Sequence, residues 1–173
     1  MRKIEKPEEG EYAPYAIIYI GLLPDDGLVL KHLRDNLEAT KSFILSLPEE
    51  RLTHRYAEGK WTIKEIVAHI SDDERIYAYR ALRFARNDRT ELPGFEQDDY
   101  ALHSGANERG VKDLLDELTT VRQATLSLFE GLDGAALTRA GVADGKVMSV
   151  RAAAYHIAGH ELRHVNIIRE RYL

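Results

Sequence analysis

The chain has 173 residues, of which 44% are hydrophobic and 31% charged, with a formal net charge of −5 and no cysteine. We therefore predict one domain over residues 1–173 with a sizeable core, and no nucleic-acid partner, since no basic excess is present. Disulfides, thiolate metal ligands and a cysteine nucleophile are excluded. Because the longest apolar run near the start, Ala16 to Leu23, is too short to span a bilayer and no secretory signal precedes it, we expect a cytoplasmic protein without a membrane partner.

The first two helices are predicted from apolar residues that recur at helical spacing. Helix one is predicted from about Asp25 to Leu47, with Asp25 or Asp26 as its cap. Helix two begins at Thr62, where Thr62 and Glu65 form a T-x-x-E capping box, and runs to about Asn87. In a capping box the hydroxyl and the carboxylate satisfy backbone N–H groups that the first helical turn leaves free.

Two further helices follow a long connection. Helix three is predicted from about Val111 to Leu132, and helix four begins after Ser149, a good N-cap, and runs almost to the C-terminus. The link from Asp88 to Gly110 is long for a compact domain and permits a crossover, so that helices two and three can run parallel. No series of strands is apparent, although short strands are possible near 55–56 and near Val147.

Three histidines of helix four lie at successive i, i+4 positions, namely His156, His160 and His164. They share one side of the helix with apolar residues and therefore face the core. His69 lies on the flank of the apolar face of helix two. Burying several imidazoles without partners costs free energy, and a bound metal ion satisfies one nitrogen of each, so we predict a divalent metal site.

The spacing leaves two ligand sets open. His156 and His164 are two turns apart, about 12 Å along the helix axis, and cannot bind the same ion. The pair is therefore His160 with His164 or His156 with His160, completed in either case by His69 from the neighbouring helix. Three neutral histidines leave a position for water or substrate, which is typical of a catalytic metal site. Imidazole suits zinc, nickel, iron and copper, so the residues alone do not select the metal.

The segment from His160 to His164 also reads H-E-x-x-H, the zinc-peptidase pattern in which the glutamate is the general base. Such enzymes need a third ligand downstream, but only nine residues follow His164. Ile167 and Glu170 occupy the positions where one such pattern requires Gly and His, so the peptidase interpretation is disfavoured. Glu161 remains a candidate catalytic residue, with an outer supporting role or a helix-surface charge as alternatives.

Two charged residues fall on the apolar side of helix two, Asp73 and Arg80. They either line the metal cleft and bind substrate, or form a buried ion pair two turns apart, and we favour the ion pair. Trp61, just before the helix, is interpreted as a packing anchor.

Taken together, these motifs resemble the DinB/YfiT-like superfamily of small metal-binding helical proteins, which includes the bacillithiol S-transferases. The resemblance covers nearly the whole chain and rests on E-Y-A-P-Y (11–15), K-W-T-I-K-E-I-V-A-H-I (60–70), the helix-two segment 72–88, L-P-G-F-E-Q-D-D-Y (92–100), S-V-R-A (149–152) and A-G-H-E-L-R-H (158–164). It implies an all-α four-helix bundle with up-down-down-up topology and a crossover between helices two and three. It also implies His69, His160 and His164 as the metal ligands, which leaves His156 as a core residue, an outer group or an alternative ligand.

The resemblance further implies nickel or zinc as the metal, with iron or manganese as other candidates, and a homodimer. Characterised relatives use low-molecular-weight thiols, so a metal-dependent thiol S-transferase acting on a small thiol and an electrophile is the first functional hypothesis. The alternatives are a non-catalytic metal-binding stress protein and a metal-dependent hydrolase that uses Glu161. Whether the chain is an enzyme is left open at this point.

Overall fold

Four long helices form the framework of the computed structural model, which describes residues 2–173. The long helices are α2 (Val29–Leu45), α4 (Ile63–Ala85), α6 (Val111–Glu130) and α8 (Val150–Arg171). The short helices are α1 (Ile17–Ile20), α3 (Glu49–Leu52), α5 (Gln97–His103) and α7 (Gly134–Thr138), with 3-10 turns at Pro14–Ala16 and Ala106–Glu108. Two antiparallel strands, β1 (Ala140–Ala143) and β2 (Lys146–Ser149), precede α8.

The long helices bury their apolar faces against one another. Helix α4 packs on α8 and on α6, and α2 packs on the same two helices, so α2 and α4 lie diagonally across the bundle. Two clusters of buried side chains fill the centre. One joins the beginnings of α2 and α8 to the ends of α4 and α6, and the other joins the end of α2 and α8 to the beginnings of α4 and α6. Among residues 2–173, no helix is both long and apolar enough to cross a membrane.

The predicted caps are confirmed at two helices and wrong at one. Thr62 Oγ1 accepts from Glu65 N at 3.1 Å, and Glu65 Oε2 accepts from Thr62 N at 2.7 Å, which completes the capping box of α4. Ser149 caps α8. Helix α2 begins at Val29 rather than at Asp25, because Asp26 accepts from Leu28 N at 2.8 Å and holds a turn before the helix.

Of the two short strands that the sequence left possible, the one near Val147 is present, whereas 55–56 form no strand. The hairpin turns at Asp144 and Gly145, which have φ of 53° and 68°. An Asp-Gly pair is a strong signal for this left-handed hairpin turn, so the hairpin was open to prediction from the sequence. Leu92 of the crossover pairs with the hairpin: its N–H donates to Val142 O at 3.0 Å, and its carbonyl accepts from Asp144 N at 2.9 Å. The crossover is thus attached to the same end of the bundle as the hairpin.

A close approach between α1 and α8 occurs at Gly159. A Cβ at this position would lie 2.2 Å from the carbonyl oxygen of Tyr19, so only glycine permits the contact. The approach brings the ring of Tyr19 to 4.9 Å from the ring of His156 and to 5.3 Å from that of His160. Helix α1 therefore helps to enclose the histidines of α8.

Candidate metal centre

The three histidines of the predicted site converge between α4 and α8. His160 Nε2 lies 3.1 Å from His69 Nε2 and 3.1 Å from His164 Nε2. The three ligand atoms all lie within 4.8 Å of one another. Of the two pairs that helical spacing left open on α8, the structure brings His160 and His164 together with His69.

The spacing of these nitrogen atoms fits one divalent ion. Imidazole binds zinc at about 2.0–2.1 Å, which places two ligand nitrogens about 3.3 Å apart in tetrahedral geometry. Hydrogen bonding between the rings explains this cluster less well. A neutral His160 carries one ring proton, and that proton cannot serve the nitrogens of both neighbouring histidines as well as an acceptor on the other side of the ring. The donor set therefore fits a bound metal ion.

Burial keeps the three imidazoles neutral. His69 and His160 are 2% and 3% exposed, and His164 is partly buried. Burial lowers the pKa of His69, lowers that of His160 well below its usual value, and lowers that of His164 to about 3. Metal binding requires a free lone pair on each ring, so protons do not compete for this site near neutral pH.

Asp73 of α4 orients His160. Its Oδ2 lies 3.4 Å from His160 Nδ1 and 3.1 Å from His156 Nε2. Burial raises the pKa of Asp73, but the two histidines hold it below its ordinary value, so the carboxyl is ionised. A carboxylate facing Nδ1 places the ring proton there and leaves the Nε2 lone pair directed at the cluster. The expected ion pair between Asp73 and Arg80 is therefore wrong, because the histidines occupy the carboxylate.

His156 lies outside the cluster and packs beside it. Its ring stacks on that of Tyr77, with 3.6 Å between the ring centroids and 5° between the ring planes. Its Nε2 forms a hydrogen bond with Asp73 Oδ2. Of the roles that the sequence left open, the structure places it as a buried supporting residue.

Glu161 lies away from the cluster in a buried ion triad. Its Oε2 accepts from Arg122 Nη2 at 2.9 Å, and Arg122 also contacts Glu74 at 2.8 Å. Glu161 and Arg122 are 0% exposed. The contact with Arg122 is typical of a structural residue. It does not favour Glu161 as the general base that the H-E-x-x-H pattern would require. Arg122 itself was missed, although its position four residues after the core residue Leu118 was a usable signal.

Two cavities flank the cluster. One, of about 240 Å³, is lined by His164, Trp61, Asp98 and Tyr172 among others. Trp61 packs as expected, but against the site: its ring lies 4.7 Å from that of His69 and 6.2 Å from that of His164.

The second cavity, of about 150 Å³, has His160 and Asp73 in its wall. The rest of its lining comes from the 3-10 turn at Pro14–Ala16, α1, α4, the crossover, the hairpin turn and α8: Tyr15, Tyr19, Tyr77, Arg80, Gly94, Phe95, Gln97, Asp144 and His156. Gln97 and Asp98 are contributions of the crossover that periodicity could not reveal, since they depend on how the crossover folds back.

The chain is similar to proteins that are described as metal-dependent. A protein of Oceanobacillus iheyensis whose name proposes a metal-dependent hydrolase, OB0413, is 27% identical over 143 residues, which cover 81% of each chain. YfiT from Bacillus subtilis, described as a probable metal-dependent hydrolase with an unusual four-helix bundle topology, superposes with a TM-score of 0.71. That match covers 95% of this chain and 90% of YfiT at 17% identity, and it shows a shared fold. The model of the DinB superfamily matches residues 32–168, and the chain therefore belongs to the DinB superfamily.

Proposed function

We propose that this protein is a metal-dependent thiol S-transferase whose ion is held by His69, His160 and His164. The observation that carries the proposal is the convergence of three neutral imidazoles beside two cavities, with no carboxylate in the cluster among the described residues. A bound divalent ion, nickel or zinc first and iron or manganese as further candidates, would supply positive charge that favours the thiolate form of a small thiol.

The residues of the chain provide the surroundings for such a thiol. Asp73 fixes the ring of His160, and the neutral ligands leave the positive charge of an ion uncompensated, so that an anionic sulfur is a favoured partner. Tyr19 lines the cavity beside His160, and burial raises the pKa of its phenol. It therefore stays neutral and can donate a hydrogen bond to a substrate. The electrophile would enter through the same cavity, and its leaving group would depart there as the new carbon–sulfur bond forms.

A metal-dependent hydrolase is the second candidate, favoured by the descriptions of the two relatives. Glu161 is a poor base for it because the carboxylate is buried against Arg122. Asp73 lines the cavity and contacts His160, and a hydrolase of this type would depend on it instead.

A cobalt-substituted protein separates the two candidates. We expect glutathione or bacillithiol to produce a sulfur-to-cobalt charge-transfer absorption, and the loaded protein to attach that thiol to a reactive alkylating electrophile. His160→Ala should lose both signals. If no thiol perturbs the cobalt spectrum while ester or amide substrates are cleaved without a thiol, the transferase proposal is wrong and the hydrolase is correct. If neither reaction occurs, the remaining interpretation is a non-catalytic metal-binding protein.

Four further expectations remain proposals. We propose that the long helices run up-down-down-up, supported by the two buried clusters, which join the beginnings of α2 and α8 to the ends of α4 and α6. We also propose a homodimer and a cytoplasmic location, with a small thiol and an electrophile as partners. Crosslinking tests the homodimer, and cell fractionation tests the location.

A further inference from the structure

Arg80 of α4 is a buried cation without a carboxylate partner. The residue is 6% exposed, and its Nη2 donates to Pro93 O at 3.2 Å. Within the described part of the chain it forms no salt bridge, and its other N–H groups have no acceptor in the protein and are open to the cavity that the residue lines. A guanidinium that is enclosed on most sides and has no counterion leaves these N–H groups available to a ligand.

The cavity beside His160 is where Arg80 lies. Arg80 lines it together with Asp73 and Asp144, and Lys146 lines the adjoining cavity that Arg80 also borders. Neither carboxylate pairs directly with the guanidinium. Asp73 contacts His160 and His156. Asp144 forms its ion pair with Lys146, although the charge of Arg80 also helps to lower the pKa of Asp144. Arg80 is thus a cation that lines this cavity and has no carboxylate paired with it in the described chain.

The guanidinium is held in place before any ligand arrives. It lies 5.0 Å over the ring of Tyr77, which in turn stacks on His156, and Pro93 O fixes one of its nitrogens. Tyr77 and Tyr15, whose hydroxyl oxygens lie 3.5 Å apart, also line this cavity. A fixed planar guanidinium with two neighbouring hydroxyls is a strong arrangement for binding a carboxylate or a phosphate group.

We propose that Arg80, with Tyr15 and Tyr77, forms an anion-binding subsite, and that the substrate of this protein carries a carboxylate or a phosphate group. A molecule that fills the cavity can contact both Arg80 and His160, so the anionic group would be bound at one end and the reacting group would face the histidines. The identity of the reaction rests on the proposed function, but the subsite needs no metal ion to bind its anion.

Calorimetric or ligand-detected NMR titrations of metal-depleted protein with succinate and with inorganic phosphate test the subsite. We expect at least one probe to bind the wild type, and Arg80→Gln to weaken binding by about tenfold or more through loss of charge-assisted hydrogen bonds. Arg86→Gln is the matched control, because Arg86 is an exposed arginine adjoining the same helix and forms no salt bridge in the described chain. Preference for succinate or for phosphate identifies the anion class.

Equal binding by wild type and Arg80→Gln, or no binding of either probe by the wild type, would overturn the proposal. So would binding that requires added nickel and is insensitive to Arg80→Gln, since the ion itself would then hold the anion. If Arg80→Gln does not fold, Arg80→Lys and a crystal structure of wild type with the probe replace it; an anion away from the guanidinium is the contrary result. A protein that binds no metal yet binds the probe through Arg80 would refute the proposed function and leave the subsite intact.

Discussion

Replacement of Asp73 by asparagine is the sharpest test of how the site is organised. The carboxylate is buried and serves two histidines through the same oxygen, at 3.1 Å to His156 Nε2 and 3.4 Å to His160 Nδ1. Asparagine keeps the shape of the side chain but removes its charge and one of its two acceptor oxygens. The asparagine oxygen can take the place of Oδ2, but as a neutral acceptor it holds the two rings more weakly than a carboxylate, so the orientation of His160 is less firmly fixed.

The expected loss follows from this contact. Removing a group that orients a metal-bound histidine typically costs 10- to 100-fold in metal affinity, or about 1.4–2.8 kcal/mol. Both contacts of Asp73 are made in the protein without metal as well, so part of the cost falls on folding rather than on binding. We therefore expect about a 10- to 30-fold weaker affinity for nickel or zinc in Asp73→Asn.

Trp61 provides the assay. It is the one tryptophan of the chain, and its ring lies 4.7 Å from that of His69, so nickel in the site should quench its fluorescence. Asp72→Asn is the matched control, since Asp72 carries the same charge on the same helix but pairs with Arg75. The reasoning is refuted if Asp73→Asn folds and titrates with the affinity of the wild type, or if Asp72→Asn weakens binding equally.

Three other perturbations test the packing and the electrostatics. Gly159→Ala places a Cβ 2.2 Å from the carbonyl oxygen of Tyr19, so we expect a loss of about 1–3 kcal/mol in urea unfolding, and an unchanged midpoint would contradict the close approach. Arg122→Met leaves Glu161 without its partner in the core, and we expect a loss of about 3–5 kcal/mol; a variant as stable as the wild type would show that the triad is dispensable. In metal-free protein the pKa of His164 is about 3, against an ordinary value of 6.5, so the unfolded chain takes up a proton that the folded chain does not. Stability should therefore fall as the pH drops below about 6.5, with a share of about 2 kcal/mol at pH 5 from His164 and further shares from His69 and His160, whose pKa values burial also lowers. His164→Leu should make this dependence less steep, and a profile identical to the wild type would contradict it.

The parts of the fold that local chemistry determines were predictable. The capping box of Thr62 and Glu65 and the N-cap of Ser149 depend on residues three apart, and both form as the pattern predicts. The inward direction of His160 and His164 follows from helical periodicity alone, and so does their spacing. The choice of His160 and His164, rather than His156 and His160, as the partners of His69 needed the resemblance, because periodicity does not establish how α4 lies along α8.

The predictions that proved wrong concern contacts between segments that are distant in the sequence. Glu161 follows His160 by one residue, which turns it about 100° round the helix. Which neighbour it then meets is decided by Arg122, 39 residues away in sequence. Similarly, the periodicity places Asp73 and Arg80 on one helix face, yet Asp73 contacts the histidines of α8 and Arg80 donates to a carbonyl of the crossover. A helical pattern gives the side on which a residue lies but not its partner.

The metal content of the purified protein tests the central claim most directly. Elemental analysis of untagged wild type beside His160→Ala should find about one transition-metal ion per chain in the wild type, after incubation with nickel or zinc, and little in the variant. A wild-type protein that retains no ion under these conditions, or a variant that binds as much as the wild type, would contradict the assignment of His69, His160 and His164 as a metal centre.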